Sequence, residues 1–216
     1  MSREPVTRAR AVAVAIALAD EGGLSKVTMR GVAKELGVEA MSLYHHVANK
    51  GDLLDGMVDG VFEEIGRPPD GAWRPAIAAR CHSMRDTLNR HRWAVGLLES
   101  RTSPGDPTLA HHESVLACLR GAGFSVRLAA HAFAAIDAHV IGFVTQEVTL
   151  PFDEDTDMEE LIAEILDGVP EERYPHLREM TVEHVLQPGY DFGDEFAYGL
   201  DLVLDGLERA LADEQR

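Results

Sequence analysis

The side chains best equipped for chemistry lie in one short stretch: Thr28, Arg30, Ser42, Tyr44, His45, His46 and Lys50, with Ala40 and Met41 set among them. These are hydrogen-bond donors and small apolar groups, suited to touching phosphate oxygens and base edges rather than to breaking bonds. Catalytic and metal patterns are missing. His45 and His46 are adjacent and point differently on a helix, and His131 and His139 stand eight apart, not four. Cys81 and Cys118 are the only cysteines and form no Cys-x-x-Cys pair. No Gly-x-Ser-x-Gly, His-Glu-x-x-His, Walker loop or Gly-x-Gly-x-x-Gly occurs. No metal or cofactor is expected, and an enzyme is the remotest reading.

The elements that must position these residues follow from spacing. Helical periodicity recurs throughout and strand-like alternation is scarce, so the chain reads as all-α. A first helix runs over about 7–19. Thr28 caps a second, whose apolar face is Val32, Ala33 and Leu36 before Gly37 stops it. A short segment over 39–45 follows, then a fourth helix from Asn49, with Asp52 in the capping-box position. This is helix-turn-helix physics: Ala33 lets two helices approach, Gly37 makes the turn, and Val38, Leu43 and Val47 close the core. Ala40, Met41, Ser42, Tyr44, His45 and His46 are left pointing outward, on a helix that fits the major groove of B-DNA, about 12 Å wide.

Charge divides the chain. The formal net charge is −17, yet residues 1–50 hold seven Lys/Arg against five Asp/Glu, leaving −19 for the rest. Phosphates attract the first part and repel the second, so one end faces nucleic acid. The break Gly66-Arg-Pro-Pro-Asp-Gly marks a boundary. The organisation expected is a head over 1–50, a connecting fourth helix over 51–66, and a larger helical body over 67–216. Within the body, helices are expected near 72–89, 91–101, 107–121, 125–148, 157–167, 171–185 and 192–212. An acidic stretch covers Pro151 to Pro188. No window approaches the ~18 apolar residues of a membrane span, the charged start is unlike a secretory signal, and a cytoplasmic protein with reduced thiols is expected.

Leu36-Gly-Val, Leu43-Tyr-His-His-Val and Asn49-Lys50-x-x-Leu-Leu resemble the DNA-binding domain of the tetracycline-repressor family, over about residues 8–65. In the body the resemblance is weaker: Gly121-Ala-Gly-Phe before the long helix, and Phe196-x-x-Gly-Leu-Asp-x-x-Leu-Asp-Gly-Leu in the last one. The resemblance implies roles by position. Arg30 reaches a base edge or phosphate, and Thr28 a phosphate. Ala40, Met41 and Ser42 occupy the base-reading turn; the first two are suited to thymine methyls. Tyr44, His46 and Lys50 take phosphate positions, and His45 stands where tetracycline repressors often have tryptophan. Competing readings make Tyr44 a packing residue, the two histidines plain surface groups, and Lys50 a solvated lysine. Against the last, a helix N-terminus offers backbone N–H groups to a phosphate.

The resemblance also implies a homodimer built from two helices. Their apolar residues are Leu128, Ala132, Ala135, Ile136 and Val140 in one, and Phe196, Leu200, Val203, Leu204 and Leu207 in the other; part of each stripe must fill the chain's own core. Two heads on a palindromic site combine their base contacts. An effector pocket is expected between the fourth helix and the helix over 125–148. Its candidate lining is His82, Arg85, His91, Arg92, His111, His112 and His139, with Trp93 and Phe143 as apolar walls. The chain departs from the tetracycline pattern: Ile65-Gly66 stands where a drug-binding histidine falls, and Leu97-Leu-Glu-Ser-Arg lacks a metal-ligating one. The expected partners are operator DNA, a second copy and a small-molecule effector other than tetracycline, with no membrane. A repressor is the leading reading; an activator or an effector-independent regulator is the alternative.

Overall fold

Thr7 and Thr28 open the first two helices alike. Each hydroxyl oxygen accepts a backbone N–H three residues on (Arg10, 3.2 Å; Gly31, 2.9 Å), satisfying a donor that has no partner inside its helix. The computed structural model describes residues 5–100, 103–149 and 158–216, and among them the chain is helical with no strand. The head comprises α1 (Arg8–Gly22), α2 (Met29–Leu36) and α3 (Ala40–Leu43), followed by α4 (Lys50–Glu64). Gly37 ends α2 in the left-handed region, φ 67°. There the N–H groups of Val38 and Gly37 reach the carbonyls of Ala33 and Lys34, both at 2.9 Å, and turn the chain into α3.

Asn49 caps α4 by accepting the Asp52 N–H at 3.1 Å. Asp52 answers by accepting from Ala48 N–H at 2.9 Å, not from Asn49 itself, and from Arg8 of α1 at 2.9 Å. The Ala48 N–H first, then Arg8, hold the Asp52 carboxyl below its ordinary range. Gly56 and Gly60 let α1 lie close on α4: a Cβ at either would come 2.7 Å from Val12 Cγ2 or 2.9 Å from Ile16 Cδ1.

The body comprises α5 (Trp73–Arg90), α6 (Asp106–Gly121), α7 (Val126–Glu147), α8 (Met158–Gly168), α9 (Pro175–Met180) and α10 (Asp194–Glu214). Two cores result. The head core gathers Ala11, Ala15, Val27, Val32, Leu36, Leu43 and Val47 with Leu53 and Met57 of α4. The body core takes Val58, Val61, Phe62 and Ile65 from the other half of α4 and joins them to α5, α6, α7 and α10. α4 therefore belongs to both, and Trp93 packs against both.

Four expectations change. The helix anticipated over 91–101 gives way to two 3-10 turns, Arg92–Ala94 and Leu98–Ser100. His91 leaves helical geometry at φ −114°, ψ 57°, while its ring is held by carboxylates of other helices. The helix over 171–185 starts only at Pro175, which has no N–H to give, and passes into a π turn over Thr181–Val185. The recognition segment over 39–45 is a single turn of α-helix, continued by i→i+3 bonds from His45 and His46. Finally, α7 has a mean hydropathy of 1.5 and is long and apolar enough by composition to cross a membrane. Here it packs against α5, α6 and α10 as a core helix. Residues 1–4, 101–102 and 150–157, the last covering the opening of the acidic stretch, lie outside the described residues.

Candidate functional site

Leu43 and Val47, 0% and 1% exposed, pin the turn carrying the outward residues to the head core. Burying a leucine completely contributes about 1.5–3 kcal/mol, which suits a one-turn helix that cannot sustain itself. That anchoring leaves Met41 at 73% and Tyr44 at 46% exposure, with Ser42, His45, His46 and Lys50 also exposed. Tyr44 is thus a surface residue, and its ring is not a core element. Ala40 is half-buried against the head core and has less free surface than its neighbours. Arg30 is exposed on α2. The Thr28 oxygen already accepts from Gly31, so its O–H remains as the donor it can offer a phosphate. Lys50 is the first residue of α4, beside the backbone donors of that helix start. The structure therefore leaves these residues exposed on the head, with Ala40 partly covered.

The body candidates do not come together; they fall into four places. His91 and Trp93 stand at the junction with the head, both bonded to Asp20 of α1, and Arg92 lies in the open groove beside them. His82, Arg85, His139 and Phe143 gather around Phe196 between α5, α7 and α10. There Arg85 binds Glu147 through both guanidinium arms, and His139 reaches the Phe196 carbonyl at 3.1 Å. His111 is inside the core, 1% exposed, where its Nε2 accepts from Arg80 Nε at 3.0 Å. Burial first, then the Arg80 charge, push its imidazole down to about 3, so it is neutral with the proton on Nδ1.

The cavity lies elsewhere: about 180 Å³ between α4, α5, α6 and α7, closed by Leu98, Ser103 and Pro104. Val58, Phe62, Met84 and Ile141 make its apolar walls, and Asp55, Asp59, Thr108, His112 and Asp137 its polar ones. Of the residues expected to line a pocket, His112 is the one that lines this cavity. Asp59 is held by Gly105 N–H (3.1 Å) and Thr108 O–H (2.7 Å). Asp137 accepts from Arg80 at 2.6 Å, and the Arg80 side chain is 0% exposed. One sequence signal pointed there: Asp137 is the single charged residue between Arg127 and Glu147 of an apolar helix. Cys81 is buried and its thiol is pushed up to about 11 by burial, so it is an apolar filler.

The residues expected at a dimer interface divide by burial. Leu128, Ala132, Ile136, Val140, Phe196, Leu200, Leu204 and Leu207 are buried within the single chain. Ala135 is exposed and Val203 half-buried. The outward face of α7 carries Ala130, Ala134, Ala138 and Gly142 at i, i+4 spacing, and the exposed side of α10 carries Tyr198 and Leu202.

Residues 11–57 match the family described as bacterial regulatory proteins, tetR family, and residues 65–211 match the tetracyclin repressor-like, C-terminal domain. The chain belongs to the tetracycline-repressor family of transcriptional regulators. Within it, the chain is 34% identical to the HTH-type transcriptional repressor DrrR1 of Streptomyces coeruleorubidus, over 96% of this chain and 79% of that protein. It is 28% identical to the class A tetracycline repressor of Escherichia coli, over 92% and 88% of the two chains. Among solved structures, ActR of Streptomyces coelicolor in complex with actinorhodin superposes with a TM-score of 0.79 at 25% identity, covering 96% of this chain and 99% of that one.

Proposed function

We propose that the chain is a repressor that occupies a two-fold operator as a homodimer and is released by a small molecule other than tetracycline. The observation that carries this is the exposed turn Met41–His46 beside Lys50, held on a closed head core and joined to the body by one helix. Met41 and Ser42 read base edges with Arg30; Thr28, Tyr44, His46 and Lys50 set register on phosphates, with His45 beside them. A head this small contacts few bases, so specificity needs two heads. The second copy docks on the outward faces of α7 and α10, where Ala134, Ala138 and Gly142 permit close approach beside Tyr198 and Leu202.

The effector enters the cavity under α4. Val58 and Phe62 of α4 line it, so an occupant bears on the helix that carries the head. At 180 Å³ the cavity is smaller than the roughly 300–1,000 Å³ of small-molecule sites, and an effector must widen it. That widening is how binding favours a second arrangement of the heads. The solved ActR complex is with actinorhodin, so a helical body of this shape takes up an organic small molecule in at least one relative. Acting on DNA places the protein in the cytoplasm.

The test is selection from a random duplex pool by the purified full-length protein. A two-fold-symmetric site bound by two chains is expected. A pool indistinguishable from the input overturns the proposal.

A further inference from the structure

His91 ends α5 with both ring nitrogens facing carboxylates from other helices. Nδ1 lies 2.8 Å from Asp20 Oδ1 near the end of α1, and Nε2 lies 3.2 Å from Glu64 Oε2 at the end of α4. Neither oxygen is idle. Asp20 Oδ1 also accepts from the Trp93 indole N–H at 2.6 Å, and Glu64 Oε2 from Arg90 at 2.9 Å. An indole N–H and a guanidinium only donate, so both oxygens act as acceptors, and a carboxylate oxygen stands ready for a proton on either ring nitrogen. His91 is 7% exposed, while the two carboxylates it faces remain partly open to water.

The junction has few other ties. Arg8 and Asp52 join α1 to the start of α4, both within reach of the head core. Asp20 of α1 bonds beyond α4, to His91 and Trp93. Trp93 is also the side chain that packs against both cores beyond α4. From this geometry we infer that Asp20, His91, Trp93 and Glu64 form a latch fixing the angle between head and body, and that His91 and Trp93 are positioning residues for operator binding rather than effector contacts. The latch rests on the reading of the chain as a dimeric operator-binding protein. With two heads on one dimer, a fixed angle sets the distance between the reading turns. It thereby sets which half-site spacing is bound.

The experiment uses the full-length dimer and the duplex it selects, compared with duplexes one base pair longer or shorter between half-sites, and with a single half-site. Trp93→Phe keeps the ring and removes the N–H. His91→Asn keeps an amide nitrogen where Nδ1 stood, facing Asp20, whereas His91→Gln places it nearer Nε2, facing Glu64. Wild type is expected to discriminate against altered spacing. Trp93→Phe and His91→Gln are expected to lose about tenfold of that discrimination, on the scale of one charged hydrogen bond, with half-site affinity unchanged. His91→Asn is expected to restore most of it, a pattern that a merely structural role does not produce. Folded variants that discriminate spacing as wild type does overturn the latch alone. A selection that returns no two-fold site overturns the operator reading, and the latch with it. Should His91→Gln fail to fold, Trp93→Phe, which retains the ring packing, decides by the same ratio.

Discussion

The head encloses a core of small apolar side chains, Ala11, Ala15, Ala19, Val32 and Ala33 among them, and keeps its donors outside. The body does the reverse: Arg80 and His111 lie within its core, Asp137 is mostly covered, and Arg85 and Glu147 are half-buried. Polar groups left in water are cheap to hold and free to meet a phosphate. Polar groups taken inside must be matched atom by atom, or they cost more than they return. A surface that binds a regular polyanion needs the first arrangement. A body that answers to an occupant has use for the second, because paired groups beside a cavity respond when it changes shape; here Arg80 Nη2 and His111 Nδ1 are buried without a hydrogen-bond partner. The two halves of α4 carry this contrast in one helix, Leu53 and Met57 facing one core and Phe62 and Ile65 the other.

The largest expected effect breaks the body's side of the comparison. Asp137→Ala strands the Arg80 guanidinium, 0% exposed, and should cost about 3–5 kcal/mol in urea unfolding. Half-site binding by the remaining folded protein should be unchanged; a loss below about 1 kcal/mol would show that water replaces the carboxylate. A smaller effect follows from His111. Its folded pKa is depressed to about 3 from the ordinary 6.5, so the unfolded chain takes up the proton first as pH falls. The stability it contributes is complete above about 6.5 and declines toward pH 3, by on the order of a few kcal/mol. His111→Gln keeps an acceptor for Arg80 and should flatten this part of the profile. An unaltered slope would assign the acid sensitivity to other groups.

The smallest effects on stability sharpen the head's side. Lys50→Ala and Tyr44→Ala should leave unfolding within about 0.5 kcal/mol of wild type, since both are exposed. Lys50→Ala should nevertheless lower the salt slope of operator binding by about one. An unchanged slope removes Lys50 from the phosphate contacts.

Much of the head was legible because its signals are local. Thr28 and Gly31, or Gly37 and Lys34, are three residues apart, and the bond that closes each motif is fixed once the chain turns there. The glycines of α4 carried no such message, for Gly56 and Gly60 have meaning only against Val12 and Ile16. In the body, periodicity found apolar stripes but not which way they face. Leu128, Ile136, Phe196 and Leu204 satisfy the core of one chain, and the small residues behind them stay outside. Histidines were read as pocket candidates by type alone; the structure puts His112 at the cavity and scatters the others among the core, the junction and the ring cluster around Phe196.

By itself, the sequence determined the all-helical class, the helix-turn-helix and the outward placement of Met41, Ser42, Tyr44, His45 and His46, because caps, turns and helical faces are settled within a few residues of chain; Ala40, expected among them, is half-buried. Only the tertiary structure decided the cavity, the Arg80 pairings and the latch. Arg80 meets His111 and Asp137 across 31 and 57 residues, and His91 meets Asp20 across 71. No spacing rule reaches that far. Such partners are chosen by how whole helices pack, and packing is a property of all the side chains at once.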